Sequence, residues 1–145
     1  MKNLIKKNFD CEIDENLEFR IKKEKVFVFK KHLINFWQEL RSKNVKVNPL
    51  GIYFGKIKNN EKIQLSIEGA QIVGKNAKKN VFEIDDYKEL YEFLLGKPIE
   101  IKENVEKHNF PILKYKDLPI CAASSRENEI ISIFPKVAKK MIMKE

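Results

Sequence analysis

The chain has 145 residues, 43% of them hydrophobic and 34% charged, with 29 basic against 21 acidic side chains and a formal net charge of +8. That balance excludes a disordered or membrane-embedded chain, and the length suits one ordinary domain or two small ones. The positive surplus favours polyanionic partners, although an A/T-rich genome would enrich lysine in the same way, and only Arg20, Arg41 and Arg126 are arginines.

In chain order, residues 1–8 are basic without the apolar run of a signal peptide. Residues 9–13 alternate weakly and read as a strand, and Asp14-Glu15-Asn16 as a turn. Leu17, Phe19 and Ile21 alternate with polar residues, and residues 22–25 turn back into Val26-Phe27-Val28-Phe29, a pair of antiparallel hairpins. Residues 30–43 read as a helix, with Leu33, Phe36, Trp37 and Leu40 at i, i+3, i+4 and i+7 forming one apolar stripe. The stripe is expected to pack on the sheet. Trp37 lies in its middle, which argues against a free base-stacking role.

Residues 51–57 read as a strand, and Asn59-Asn60 turns into a second one at 62–67. The domain boundary is placed between residues 57 and 61. This gives a 1–57 part, an α/β domain of antiparallel strands plus a helix, and a 58–145 part. Ser66 is positioned to cap a short helix over 68–73 that Gly74 stops. A strand at 80–84 leads to Asp85 or Asp86 as the cap of a helix with the stripe Tyr87, Leu90, Tyr91 and Leu94, ended by Gly96 and Pro98. Strands are expected at 99–101, 110–115, 118–124 and 129–134, with Lys116-Asp117 as a tight turn. Short strands broken by short helices suggest a strongly bent sheet or pseudo-barrel, for an α+β chain overall.

Residues 136–145 read as a helix with Val137, Ala138, Met141 and Ile142 on one face and Lys136, Lys139, Lys140 and Lys144 on the other. Such a strip suits a phosphate backbone, and it is equally the composition of a solubilising face. The charge is uneven: residues 1–57 carry 13 basic and 7 acidic groups, and residues 58–145 carry 16 and 14. The basic groups of the second part gather at Lys75, Lys78, Lys79 and in the tail.

Catalytic chemistry is not expected. Cys11 and Cys121 form no CxxC and no metal spacing with His32 or His108, and they read as buried, reduced thiols of a cytosolic protein. Ser124-Ser125 lacks a glycine elbow, Gly51 and Gly55 flank a strand instead of opening a helix, and Asp85-Asp86 directly precedes a helix as caps do. Neither a metal nor another cofactor is implied. No segment approaches the roughly 18 apolar residues that span a bilayer.

Three stretches carry a family resemblance: Leu50-Gly-Ile-Tyr-Phe-Gly-Lys-Ile, Lys62-Ile-Gln-Leu-Ser-Ile-Glu-Gly-Ala and Ala77-Lys-Lys-Asn-Val-Phe-Glu-Ile. With Phe93-Leu-Leu-Gly and the late Asp117-Leu-Pro-Ile, they resemble the large-subunit ribosome biogenesis family known as nuclear import protein seven, which has archaeal homologues. The resemblance implies a small α/β domain followed by a PUA domain, a pseudo-barrel with short helices. It also implies binding of precursor ribosomal RNA through a basic PUA surface, protein partners in ribosome assembly and no catalysis. The location it implies is cytoplasmic in an archaeon and nucleolar in a eukaryote. The chain departs from the family in its short N-terminal part, where the first helix is absent or reduced to residues 2–7. It departs again at Cys121 and Ala123, where the family places glycines.

The expected RNA contacts are Lys136, Lys139, Lys140, Lys144, Lys75, Lys78, Lys79 and Arg126, the last in the turn of the final hairpin. They would attract phosphate with little sequence readout. A protein adaptor docking an acidic partner through the +6 N-terminal part is the alternative, with an accessory PUA subunit of an RNA-modification enzyme as a third reading.

Overall fold

The computed structural model describes residues 1–46 and 51–134. The helix expected at 136–145, with Lys136, Lys139, Lys140 and Lys144, lies outside the described residues. Among those described, the chain is α+β, with four helices and two sheets, one of them curled into a half-barrel.

The N-terminus is helical where a strand was expected to begin. Helix α1 (Lys2–Phe9) places Ile5 and Phe9 four residues apart, and both are fully buried. Burying two large apolar groups on one helical face outweighs the weak alternation of residues 9–13. Asp10 ends the helix in the left-handed conformation at φ 48°, and its N–H donates to the Lys6 carbonyl at 2.9 Å. The helix expected to be absent or reduced to residues 2–7 is formed and spans Lys2–Phe9.

Strands β1 (Leu17–Lys22), β2 (Lys25–Lys30), β3 (Ile52–Lys58) and β4 (Lys62–Leu65) form an antiparallel meander in that spatial order. The turn at residues 59–61 joins β3 to β4, so the boundary expected between 57 and 61 coincides with a hairpin whose strands are hydrogen-bonded to each other. Val26, Val28, Phe54, Ile63 and Leu65 line the inner face and pack with Ile5 and Phe9 of α1.

Helix α2 (Leu33–Ser42) corrects the expectation of a packed stripe. None of its residues is buried; Phe36 is 59% exposed and Leu33 36%. The inner face of the sheet is already covered by α1 and the next helix, α3 (Ile67–Gly74), so the α2 stripe has no core to enter. Trp37 is half-buried with the Arg41 guanidinium 4.8 Å from its ring centre.

Helix α3 (Ile67–Gly74) starts as its cap predicts: the Ser66 hydroxyl accepts from the Gly69 N–H at 3.0 Å and donates to the Tyr53 carbonyl at 2.7 Å. It packs chiefly on β3 and on β8 (Leu118–Ser125), one strand from each sheet. Two glycines allow that approach. A methyl group at Gly69 would collide with the Phe54 carbonyl oxygen, and one at Gly74 would sit 2.6 Å from Cβ of Pro119.

The second sheet contains β5 (Val81–Glu83), β6 (Ile99–Glu100), β7 (Ile112–Tyr115), β8 and β9 (Glu129–Ser132), in the order β5-β7-β8-β9-β6. Only β5 and β7 run parallel. Strand β8 pairs with β7 along its first part and with β9 along its last, and the sheet bends between the two. Lys116 and Asp117 make the expected tight turn, both with positive φ (47° and 67°). Helix α4 (Tyr87–Leu94) buries Leu90, Phe93 and Leu94, whereas Tyr87 is 66% exposed, so Phe93 replaces Tyr87 in the expected stripe. Asp86 holds the N-cap position without a side-chain capping bond.

Replacing Gly69 by Ala should therefore lower the unfolding free energy by roughly 1–3 kcal/mol, because the clash is with backbone that cannot rotate away. Urea unfolding followed by circular dichroism measures it; an unchanged midpoint would show that α3 can withdraw from β3 at no cost.

Candidate nucleic-acid interface

The expected cationic residues divide into three groups. Lys75 stands at the C-cap of α3, exposed, and Lys78 is exposed three residues on. The segment between is held from below: the Lys78 N–H donates to the Phe9 carbonyl at 2.9 Å, the last turn of α1. That anchor carries Lys75 and Lys78 to the rim of a cleft of about 720 Å³, whose other wall is Lys6, Asp10, Cys11 and Glu12.

Lys6 was not foreseen as part of this group, because it becomes a neighbour only when α1 docks. Its ammonium lies 2.7 Å from the Glu12 carboxylate. That hydrogen-bonded pair pushes the Lys6 pKa up and holds the Glu12 carboxyl below its ordinary range. The cleft thus gathers three ammonium groups against two carboxylates, one of them already engaged.

Lys79 does not share this cleft. Its ammonium is 3.2 Å from Glu106, on the loop before β7. Arg126 lies in the β8–β9 turn, its N–H donating to the Glu129 carbonyl at 2.8 Å. Beside it, Glu127 meets Lys107 at 3.2 Å and His108 at 3.1 Å, and the His108 hydrogen bond leads in holding the Glu127 carboxyl below its usual range. The structure brings Lys75 and Lys78 together, compensates Lys79 with a carboxylate and leaves Arg126 on another loop.

A buried polar seam sets these positions. The Asn8 amide donates to the Leu4 carbonyl at 2.9 Å and to the Glu61 carbonyl at 3.0 Å, tying α1 to the β3–β4 turn. The Asn109 amide donates to Glu106 at 2.6 Å and to Asn8 Oδ1 at 3.4 Å, and its own N–H donates to the Ser125 hydroxyl at 3.0 Å. Asn80, fully buried with φ 57°, accepts from the Glu106 N–H at 3.1 Å. Ser125 is thus committed to structure through Asn109 and the Glu106 carbonyl. Polar groups withdrawn from water need such partners, and together they hold the loop that carries Glu106 to Lys79.

Among the described residues, no group of three or more His, Cys, Asp or Glu side chains is arranged to hold a metal ion, and no helix is long and apolar enough to cross a membrane. No protein-family model matches the chain, and no curated protein matches it.

Both cysteines are free and buried, Cys11 at 3% and Cys121 at 2% exposure. Burial pushes the Cys121 thiol up to about 12 and raises Cys11 as well. A thiol reagent at pH 8 should therefore titrate both groups quickly only after denaturant is added. The folded Cys121 thiol keeps its proton where the unfolded one has lost it. Stability should fall as the pH rises from the ordinary thiol value of 9.0 toward about 12, a loss that Cys121→Ala would reduce. Rapid labelling of Cys121 in the native chain would show that β8 opens locally.

Proposed function

We propose that the chain is a non-catalytic RNA-binding protein acting on precursor ribosomal RNA, with the 58–145 part built as a PUA-type pseudo-barrel and the 1–57 part as its α/β companion. Four observations support the reading. The charge surplus is +8. One sheet is curled. The resemblance runs through the Leu50-to-Ile57 stretch and the strands after it. The fourth carries it: Lys75 and Lys78, neither of them in an ion pair among the described residues, reach one rim, across a cleft from the Lys6–Glu12 pair of an element some 70 residues away in sequence. Point charges of this kind attract phosphate without reading bases. In this reading the tail lysines Lys136, Lys139, Lys140 and Lys144 add to phosphate binding, and the protein works where precursor ribosomes assemble, in the cytoplasm of an archaeon or the nucleolus of a eukaryote.

A second reading, a protein adaptor, is favoured by the apolar stripe of α2, where Phe36 and Leu33 are exposed among the described residues. Capture of partners from extract with and without nuclease separates the two. Partners that vanish with nuclease were held through RNA, and partners that persist support the adaptor.

Changing Lys75 and Lys78 to Ala should weaken binding to unrelated single-stranded RNAs alike, and should reduce the steepness of log K against log salt by about 1.4. Changing the four tail lysines together should reduce it by about 3. Fluorescence anisotropy over a salt series measures both, and affinity unchanged in both variants would remove these lysines from the interface.

A further inference from the structure

The register of the first sheet sets a row of cations across three strands. Lys22 of β1 stands opposite Lys25 of β2, and Lys25 stands opposite Lys56 of β3. Like charges directly opposite one another destabilise a sheet. The hairpin tip adds to that cost, since Lys23 holds a left-handed φ of 58° where glycine or asparagine would be easier. One carboxylate answers the row: Glu24, 3.2 Å from the Lys56 ammonium. Lys22, Lys23 and Lys25 make no ion pair among the described residues.

One step along the same face runs a second row, Arg20, Phe27 and Tyr53, again in direct register. The bulge at Val26/Phe27 realigns β3 so that Tyr53 meets Phe27 while Phe54 enters the core. The Phe27 and Tyr53 rings meet edge to face at 5.8 Å, and the Arg20 guanidinium lies 5.1 Å from the Phe27 ring centre. Tyr53 is 40% exposed. Phe27 opens into a cleft of about 400 Å³ whose other walls are Lys22, Lys23, Glu24, Lys25 and Lys56. Two Arg20 nitrogens, Nε and Nη2, are shielded from water without a hydrogen-bond partner among the described residues.

We propose that this face is a second contact for single-stranded RNA, an inference that rests on the RNA-binding reading above. Bases stack against Phe27 and Tyr53, and the flanking phosphates lie along Lys22, Lys25 and Lys56. Strands about 4.8 Å apart make the cation row about 10 Å long, enough to follow more than one phosphate. The aromatic row is what favours a single-stranded nucleic acid, here RNA on the reading above: an acidic peptide would answer the lysines and leave the rings unused, whereas every base presents a stacking face.

The test uses the full chain and fluorescence anisotropy with labelled oligouridylate, with heparin as a polyanion lacking bases. Phe27→Leu and Tyr53→Leu remove a ring while keeping apolar bulk. Each should lose about tenfold in RNA affinity and stay within about twofold for heparin. Tyr53→Phe keeps the ring and should bind as the unmodified chain does, which separates stacking from a folding defect. The triple change of Lys22, Lys25 and Lys56 to Ala should weaken both ligands and flatten the salt slope by about 2 on single-stranded RNA.

Ring variants that bind RNA normally, or that lose heparin equally, overturn the proposal. So does poly-glutamate that displaces the RNA as well as unlabelled oligouridylate does, which would assign the face to an acidic protein partner. If RNA affinity falls for the Lys75/Lys78 variant but not for the sheet variants, only this inference fails. An unmodified chain that binds no RNA ends both.

Discussion

How near one helix backbone comes to two sheets determines much of this molecule. Helix α3 lies against β3 through Gly69 and against the start of β8 through Gly74, in places where a single methyl group would strike backbone or a proline ring. Close approach shortens every neighbouring contact, and dispersion and apolar burial both grow as the gap closes. Ala70 and Val73 on the same helix are completely buried and join a core that draws on α1, β2, β3, β4, β7 and β8. A capping serine fixes the start of the helix by bonding both its own first turn and the carbonyl of Tyr53. The helix entry point and the bulged part of β3 are thus set by the same few atoms.

The second constraint is polar. Asn8, Asn80, Asn109 and Ser125 are all nearly inaccessible, and hydrogen bonds link them through Glu106. An apolar core tolerates small slips, whereas a chain of buried amides does not, because each misplaced donor loses a partner it cannot replace with water. This seam joins the N-terminal helix to the loop before β7. It sets where Lys79 meets Glu106, and so which of the expected cations keep their charge available. Electrostatics at the surface are in this sense a consequence of hydrogen bonding beneath it.

Charge on this protein is arranged by pairing as much as by abundance. Glu12, Glu106 and Glu24 each offset part of the charge that one lysine brings to the surface. Exposed pairs of this kind contribute little to stability, so their main consequence is the pattern of potential they leave. Lys75 and Lys78 remain at one rim, and Lys22 and Lys25 at a sheet end beside aromatic rings, with Lys56 of the same row partly offset by Glu24.

Local chemistry by itself determined the elements whose signals need no distant partner. Alternation marked β1 and β2, Ser66 marked the start of α3, and Lys116-Asp117 marked the turn between β7 and β8. Periodicity also identified α2 as a helix but wrongly assigned its stripe to the core, because a stripe records which side is apolar and not whether space remains beneath it. Residues 9–13 misled for a related reason: the burial of Phe9 is shared with Ile5, a helical neighbour, and outweighs two-residue alternation. Only the tertiary structure decided that β5 would lie parallel to β7, that Lys6 would face Lys75, and that three lysines would stand abreast across β1, β2 and β3. Those facts depend on strand register and helix docking, which are fixed by contacts between residues far apart along the chain, and no short-range pattern encodes them.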